Sequence, residues 1–234
     1  MDLAILNQLN KDRAQRRAVI LVTELATGAQ RLVHEDDWPE HDELGGELSA
    51  ALHAGKSRTV ASRGKEYFLN VFAPPPRMIL IGAVHISKAL YPIAASCGYN
   101  VTIIDPRGAF ATEERFPDVT LMAEWPDEVL PDLKIDGYTA VATLTHDPKI
   151  DDPALIHALE SEAFYIGSLG SKKTHGRRVE RLTAAGISEN ELARIHAPIG
   201  MDIGAQSPVE IAVSIMAEIT AALHRAPSQR MERA

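Results

Sequence analysis

Four glycine-centred or strand-end clusters in this 234-residue chain hold the residue types that bind anions or exchange protons. In the first, Gly82, Ala83, Val84 and His85 follow an apolar run at residues 78–81. The spacing G-x-G-x-x-G, which lets a backbone turn approach a pyrophosphate, falls here on Gly82, Val84 and Ser87, so only its first glycine is present. Val84 puts a branched side chain where the middle glycine would admit the ligand. The second cluster is Asp105 with Arg107. A carboxylate about 20 residues past the first glycine stands where a ribose hydroxyl is bound, and a guanidinium beside it suits phosphate.

The third cluster, Thr145, His146 and Asp147, closes an apolar run and so falls at the carboxyl end of a strand, the side on which open α/β sheets bind ligands. That position singles out His146 among the histidines as a ligand contact, and no second acid or base is apparent beside it. The fourth cluster, Gly167, Gly170, Ser171 and Lys172 in YIGSLGSKK, sets glycines and cations before a helix start, a second anion cradle distinct in spacing from a Walker A loop. Asp202, between the two glycines of PIGMDIGA, lies in a loop able to line the same crevice.

The elements that must carry these clusters follow from periodicity. Runs that are predominantly apolar, at residues 78–81, 101–104, 138–144 and 164–166, alternate with helical stretches, which predicts a parallel sheet covered on both faces. Residues 85–96 read as the first crossover helix, ended by Gly98. Asp152 and Pro153 are read as the start of a later helix and Ser171 as the cap of the next. Ser207, Pro208 and Glu210 form a capping-box start for a final helix with an apolar stripe through Ile211, Ile215, Met216, Ile219 and Leu223.

The first 72 residues have another texture. A short amphipathic helix (2–17), strands at 18–25 and 31–33, an acidic segment HEDDWPEHDELGG, a helix at 46–54 and a hairpin at 58–72 turning at Arg63 and Gly64 make a small α+β unit. APPP then stiffens the connection. The expected organisation is therefore α/β, with a small N-terminal α+β domain at 1–72, a proline-rich linker at 73–77, a parallel-sheet domain at 78–225 and a tail at 226–234.

A net charge of -8 gives no general basic surface for nucleic acid. No stretch reaches the roughly 18 apolar residues that span a bilayer, and the start lacks a secretory leader, so a cytoplasmic protein is expected. One cysteine, Cys97, excludes an internal disulfide and any cysteine-cluster metal site. The histidines show no metal-ligand spacing, and no metal site is assigned.

Taken together, LIGAVHISKAL, VTIIDPRGAF, TLTHD, YIGSLGSKK and PIGMDIGAQSPVEIAVSIMAEI resemble, in this order, the C-terminal Rossmann domain of the XdhC/CoxI family. The resemblance covers residues 77 to 225 and implies a Rossmann-like fold for the larger domain. It also implies a maturation role for a molybdenum hydroxylase of the xanthine dehydrogenase or CO dehydrogenase type. Such an accessory protein binds the molybdenum cofactor (molybdopterin) as cargo, assists its sulfuration with a cysteine desulfurase and delivers it to the apo-enzyme, as a chaperone more than as an enzyme. A homo-oligomer and a full-length XdhC paralogue are further expected partners. Two departures stand out. The family's G-A-G-H reads Gly82, Ala83, Val84, His85 here, and its N-terminal G-S-[AS]-P-R and G-G-G segments are replaced by ATGAQ at 26–30 and by Gly45 and Gly46. Two other readings stay open: an NAD(P)-dependent oxidoreductase, and a non-catalytic partner of the paralogue.

Overall fold

The computed structural model describes residues 2–34 and 42–225, apart from the side chains of His53 and Arg225. Most of the acidic segment (35–41) and the tail (226–234) lie outside the described residues. The chain divides into two compact units, Met1–Pro74 and Pro75–Ala234.

In the first unit, helix α1 (Leu3–Ala14) precedes strands β1 (Val19–Glu24) and β2 (Gln30–His34), helix α2 (Gly45–Ala54) and the hairpin β3 (Arg58–Ser62) and β4 (Lys65–Phe72). The four strands form an antiparallel sheet in the order β2-β1-β4-β3. Arg63 and Gly64 turn the hairpin with φ of 47° and 75°, the two positive angles that match the twist of a two-residue turn. The fully buried Asp12 ties α1 to β2: it accepts from Gln8 and Arg17 and pairs with His34 Nε2 at 2.8 Å. Burial alone would raise its pKa, but these partners hold it below the ordinary carboxylate value.

The second unit follows a β-α alternation: β5 (Arg77–Ile81), α3 (His85–Ser96), β6 (Asn100–Ile104), β7 (Thr120–Met122), α4 (Pro126–Leu133), β8 (Thr139–Thr143), α5 (Pro148–Leu159), β9 (Tyr165–Ser168), α6 (Lys172–Ala184), α7 (Glu189–Leu192), β10 (Ile195–His196) and α8 (Pro208–Arg225). The strands pair in parallel in the order β10-β9-β8-β5-β6-β7. Numbered within this unit that is the 3-2-1-4-5-6 order of a dinucleotide-binding fold, read from the other edge. The chain reverses its direction of travel across the sheet between β5 and β8, and that switch point is where such sheets open a crevice beyond their carboxyl ends.

Both faces of the sheet are covered because alternate residues of one strand enter different cores. Met78 and Leu80 pack with Leu90 and Ala94 of α3 and with Ala212, Ile215 and Ile219 of α8. Ile79 and Ile81 pack on the opposite side with Leu130 of α4, Ala154 and Leu155 of α5 and Leu182 of α6. Each fully buried leucine, isoleucine or methionine among them contributes about 1.5–3 kcal/mol.

Three details differ from the sequence reading. Asp147, not Asp152, caps α5: its side chain accepts from Lys149 N at 3.0 Å, Pro148 is the first helical residue, and Asp152 and Pro153 lie inside the helix. Both Asp-Pro pairs carry the start signal, and the helix begins at the earlier. The edge strands β7 and β10, of three and two residues, are too short to show a periodic pattern. Arg77, assigned to the linker, opens β5. Ser171 does cap α6, and Ser207 and Glu210 bond reciprocally at the start of α8. Among the described residues no helix is long and apolar enough to cross a membrane.

Candidate functional site

The turn after β5 is held from beneath by the ends of its neighbours. Gly82 takes φ of 116°, and its N-H donates to the carbonyl of Ile104 at 2.8 Å. A Cβ built on Gly82 would stand 2.7 Å from Thr145 Cγ2, so the β5 and β8 loops touch at the switch point and glycine is required by backbone and neighbour alike. Val84, in an extended conformation, occupies the N-cap of α3 with no capping side chain, and half-buried, packs against the core. It is therefore a packing residue as well as a departure from the glycine pattern. His85 begins α3 and is exposed.

Asp105, fully buried, faces the Gly82 turn and not a ligand space. One carboxylate oxygen accepts from Ala83 N and Arg107 Nη2, both at 2.8 Å, and the other from Arg107 N and Nε at 3.0 and 2.9 Å. Arg107 is thereby locked back on Asp105, with its guanidinium 4.7 Å from the Phe110 ring centroid. The pair braces the loop; the ribose-acceptor and phosphate-fork roles read from the sequence would need these bonds to break. Burial pushes the Asp105 carboxyl up, yet the bonds from Arg107 and Ala83 outweigh it and hold the pKa below the ordinary value. A depressed folded pKa stabilises the protein above the unfolded value near 3.9 and the contribution is lost as pH falls through the folded value. Asp105→Asn is accordingly expected to cost about 2–3 kcal/mol at pH 7 in urea unfolding, with the gap to the unsubstituted protein closing as pH falls below the unfolded value near 3.9.

The loop after β8 is organised by a carboxylate that the sequence reading did not single out. Asp151, 2% exposed in the first turn of α5, accepts from Thr145 Oγ1 at 2.7 Å, from Thr145 N at 3.3 Å and from His146 N at 3.0 Å. Thr145 Oγ1 in turn accepts from Asp147 N at 3.0 Å. These bonds hold His146 at φ of 64°, a left-handed conformation that costs a non-glycine residue about 1–3 kcal/mol and clusters at functional sites. The exposed His146 side chain lines a cleft of about 210 Å³ between α5 and α6, together with Asp151, Asp152, Thr174, Arg177, Arg178 and Arg181. Asp152 and Arg181 neutralise each other through paired bonds at 2.5 and 3.0 Å. Arg178, 2% exposed, donates through Nη2 to Leu169 O at 2.8 Å, while its Nε and Nη1 are buried with no acceptor among the described residues. A helical arginine past the glycine loop carries no local motif, which is why it could not be picked out beforehand.

The remaining candidates separate into two groups. Gly170, with φ of 135°, stands against two residues that line the cleft: a Cβ there would meet Thr174 at 3.1–3.2 Å and Arg178 Nη2 at 3.7 Å. Ser171 caps α6 through Thr174 N at 3.2 Å, and its hydroxyl lies 3.0 Å from Thr174 Oγ1. Gly167 is not a loop glycine. It sits inside β9, where a Cβ would be 2.6 Å from Ile199 Cδ1 and 2.7 Å from the Tyr165 hydroxyl, so it serves packing. Lys172 and Asp202 are exposed and do not line the cleft. The loop holding Asp202 is anchored by Glu218, which accepts from Tyr165 OH at 2.6 Å and Gly200 N at 2.8 Å.

A six-stranded parallel sheet in dinucleotide-fold order, with its braced loops meeting at the switch point, defines a Rossmann-type domain. The chain belongs to the XdhC family, whose Rossmann domain matches residues 78–219. It is 32% identical over 169 residues to the uncharacterized protein YqeB of Escherichia coli K12, covering 70% of this chain and 30% of that protein. Identity is also 32% to a probable xanthine dehydrogenase subunit of Bacillus subtilis 168 (65% of this chain, 44% of that protein) and to the molybdenum cofactor insertion chaperone PaoD of E. coli K12 (63% and 40%). The chain thus spans less than half the length of these relatives. A crystal structure of a xanthine dehydrogenase from Bacillus halodurans superposes with a TM-score of 0.65 at 24% identity, over 96% of this chain and 66% of that one, and shares its fold.

Proposed function

We propose that this protein is an accessory protein in the maturation of a molybdenum hydroxylase, holding the molybdenum cofactor as cargo at the switch point and assisting its sulfuration or insertion. The observation that carries the reading is His146, held in a strained conformation by the buried Asp151 at the rim of a cleft on the ligand-binding edge of the sheet. The names of the B. subtilis and E. coli relatives point to the same cargo and client class. The task is chiefly binding: the cleft offers an imidazole and arginines to an anionic pterin and needs no proton relay. An apo-hydroxylase and a cysteine desulfurase are the partners this role requires. The NAD(P) alternative is opposed by Asp105, whose oxygens are taken by Ala83 and Arg107, and by Val84 at the helix cap.

Protein purified from cells replete in molybdenum cofactor is expected to carry molybdenum and fluorescent pterin oxidation products. His146→Ala, an exposed change, should lower retained molybdenum by about tenfold with an unaltered thermal midpoint. Repeated absence of both metal and pterin from the unsubstituted protein would overturn the assignment.

A further inference from the structure

Among the arginines that line the cleft, Arg178 is the buried one, and its surroundings leave most of its donors unused. An arginine remains charged even when burial and the neighbouring Arg181 push its pKa down, as they do here. Asp151 and Asp152 lower that penalty through their fields, but among the described residues neither reaches ion-pair distance: Asp152 is bonded to Arg181, and Asp151 to Thr145 and His146. Its hydrogen bond among those residues is the one from Nη2 to Leu169 O. A buried cation with Nε and Nη1 unpaired is costly unless an acceptor arrives from outside. The neighbouring His175 likewise has Nδ1 buried and unpaired.

The cleft onto which Arg178 faces is lined by three arginines against two carboxylates, and the hydroxyl-bearing Thr174 stands in the first turn of α6, at that helix's positive end. We infer that the α5–α6 cleft is a phosphate-monoester site, with Arg178 as the cation at its base, Thr174 and Arg177 on its α6 wall and His146 at its rim. A tetrahedral dianion supplies several acceptor oxygens to one planar guanidinium, which a lone carbonyl does not. An ester is favoured over the free ion because the cleft continues to the exposed His146, which is placed to meet the ring or chain that the phosphate carries. This places the anion beside β8 and β9, away from the Gly82 turn where such folds bind pyrophosphate. The inference depends on the maturation reading only for the identity of the ester.

Calorimetric titration of the full chain with inorganic phosphate, at fixed ionic strength in chloride, tests it. Saturable binding is expected, weakened about tenfold or more by Arg178→Met and changed less than about twofold by Lys88→Met, an exposed charge on α3. Should Arg178→Met fail to fold, Thr174→Val on the exposed side of the cleft is expected to weaken binding about threefold. No phosphate binding by the unsubstituted protein at about 10 mM, or binding indifferent to these cleft substitutions, overturns the site. Neopterin monophosphate should bind more tightly than phosphate and than neopterin; affinity equal to that of phosphate overturns the ester assignment. Protein that carries molybdenum as purified, yet binds no phosphate once the cofactor has been stripped from it, leaves the maturation reading standing and removes this site, whereas phosphate binding by protein that never carries molybdenum does the reverse.

Discussion

Asp151→Ala is expected to lower the unfolding free energy by about 2–4 kcal/mol and to abolish cofactor retention, although the side chain removed stands beneath the cleft. The substitution strips acceptors from Thr145 Oγ1 and from the N-H groups of Thr145 and His146. Without them nothing compensates the left-handed backbone of His146, and the imidazole leaves the rim. Asp151→Asn restores volume but sets an amide donor against a backbone N-H, so it should recover stability only in part. The pH dependence has the opposite sign to that of Asp105. Burial raises the Asp151 carboxyl above its ordinary value, ahead of the bonds from Thr145 and His146 and the field of Arg178, which pull it down. A raised folded pKa means that the stability it contributes is full below the unfolded value near 3.9 and declines as pH rises through the folded value. The stability gap between the unsubstituted protein and Asp151→Ala should therefore narrow as pH rises across that window, in urea titrations at closely spaced pH. A gap that widens instead would mean that Asp151 acts as an ordinary ion-paired carboxylate.

Gly82→Ala is the second change with a large expected effect, about 2–4 kcal/mol, although it adds a single methyl group. At φ of 116° an alanine is strained, and its Cβ would lie 2.7 Å from Thr145 Cγ2. Relief requires the β5 and β8 loops to part, which also disturbs the Ala83–Asp105 bond on one side and the Thr145–Asp151 bond on the other. Thermal unfolding should show the loss directly. Val84→Gly makes the contrast: it restores the family's glycine but removes a half-buried side chain from the core, so stability should fall by about 1–2 kcal/mol. If that variant instead gains affinity for the cofactor without losing stability, Val84 is an obstruction and not a packing residue.

The capped helices and the strand-helix alternation were legible along the chain because each rests on local chemistry. Ser171 and Ser207 cap through bonds to residues three positions on, and the predominantly apolar strands β5, β6, β8 and β9 announce a sheet covered on both sides. The ordered clusters from Gly82 to Asp202 also suffice for the family. Where local signals repeat, as with the two Asp-Pro pairs, the sequence does not choose between them, and where strands are as short as β7 and β10 it carries no period to read.

What the linear chain withheld is the direction in which polar side chains point. Asp105 follows a strand end and Asp151 lies in the first turn of a helix, and neither position tells where the carboxylate points: the first is turned inward onto the Gly82 turn and the second onto the His146 loop. Arg178 is one of several basic residues in KKTHGRR, and only the packing of α6 against α5 buries it while Arg177 stays exposed. A motif records residue types at fixed separations and so identifies the fold that repeats them. Burial and hydrogen bonding arise between residues brought together from distant parts of the chain, and they decided here that Asp105 braces a loop, that Asp151 holds His146, and that Nε and Nη1 of Arg178 have no acceptor among the described residues.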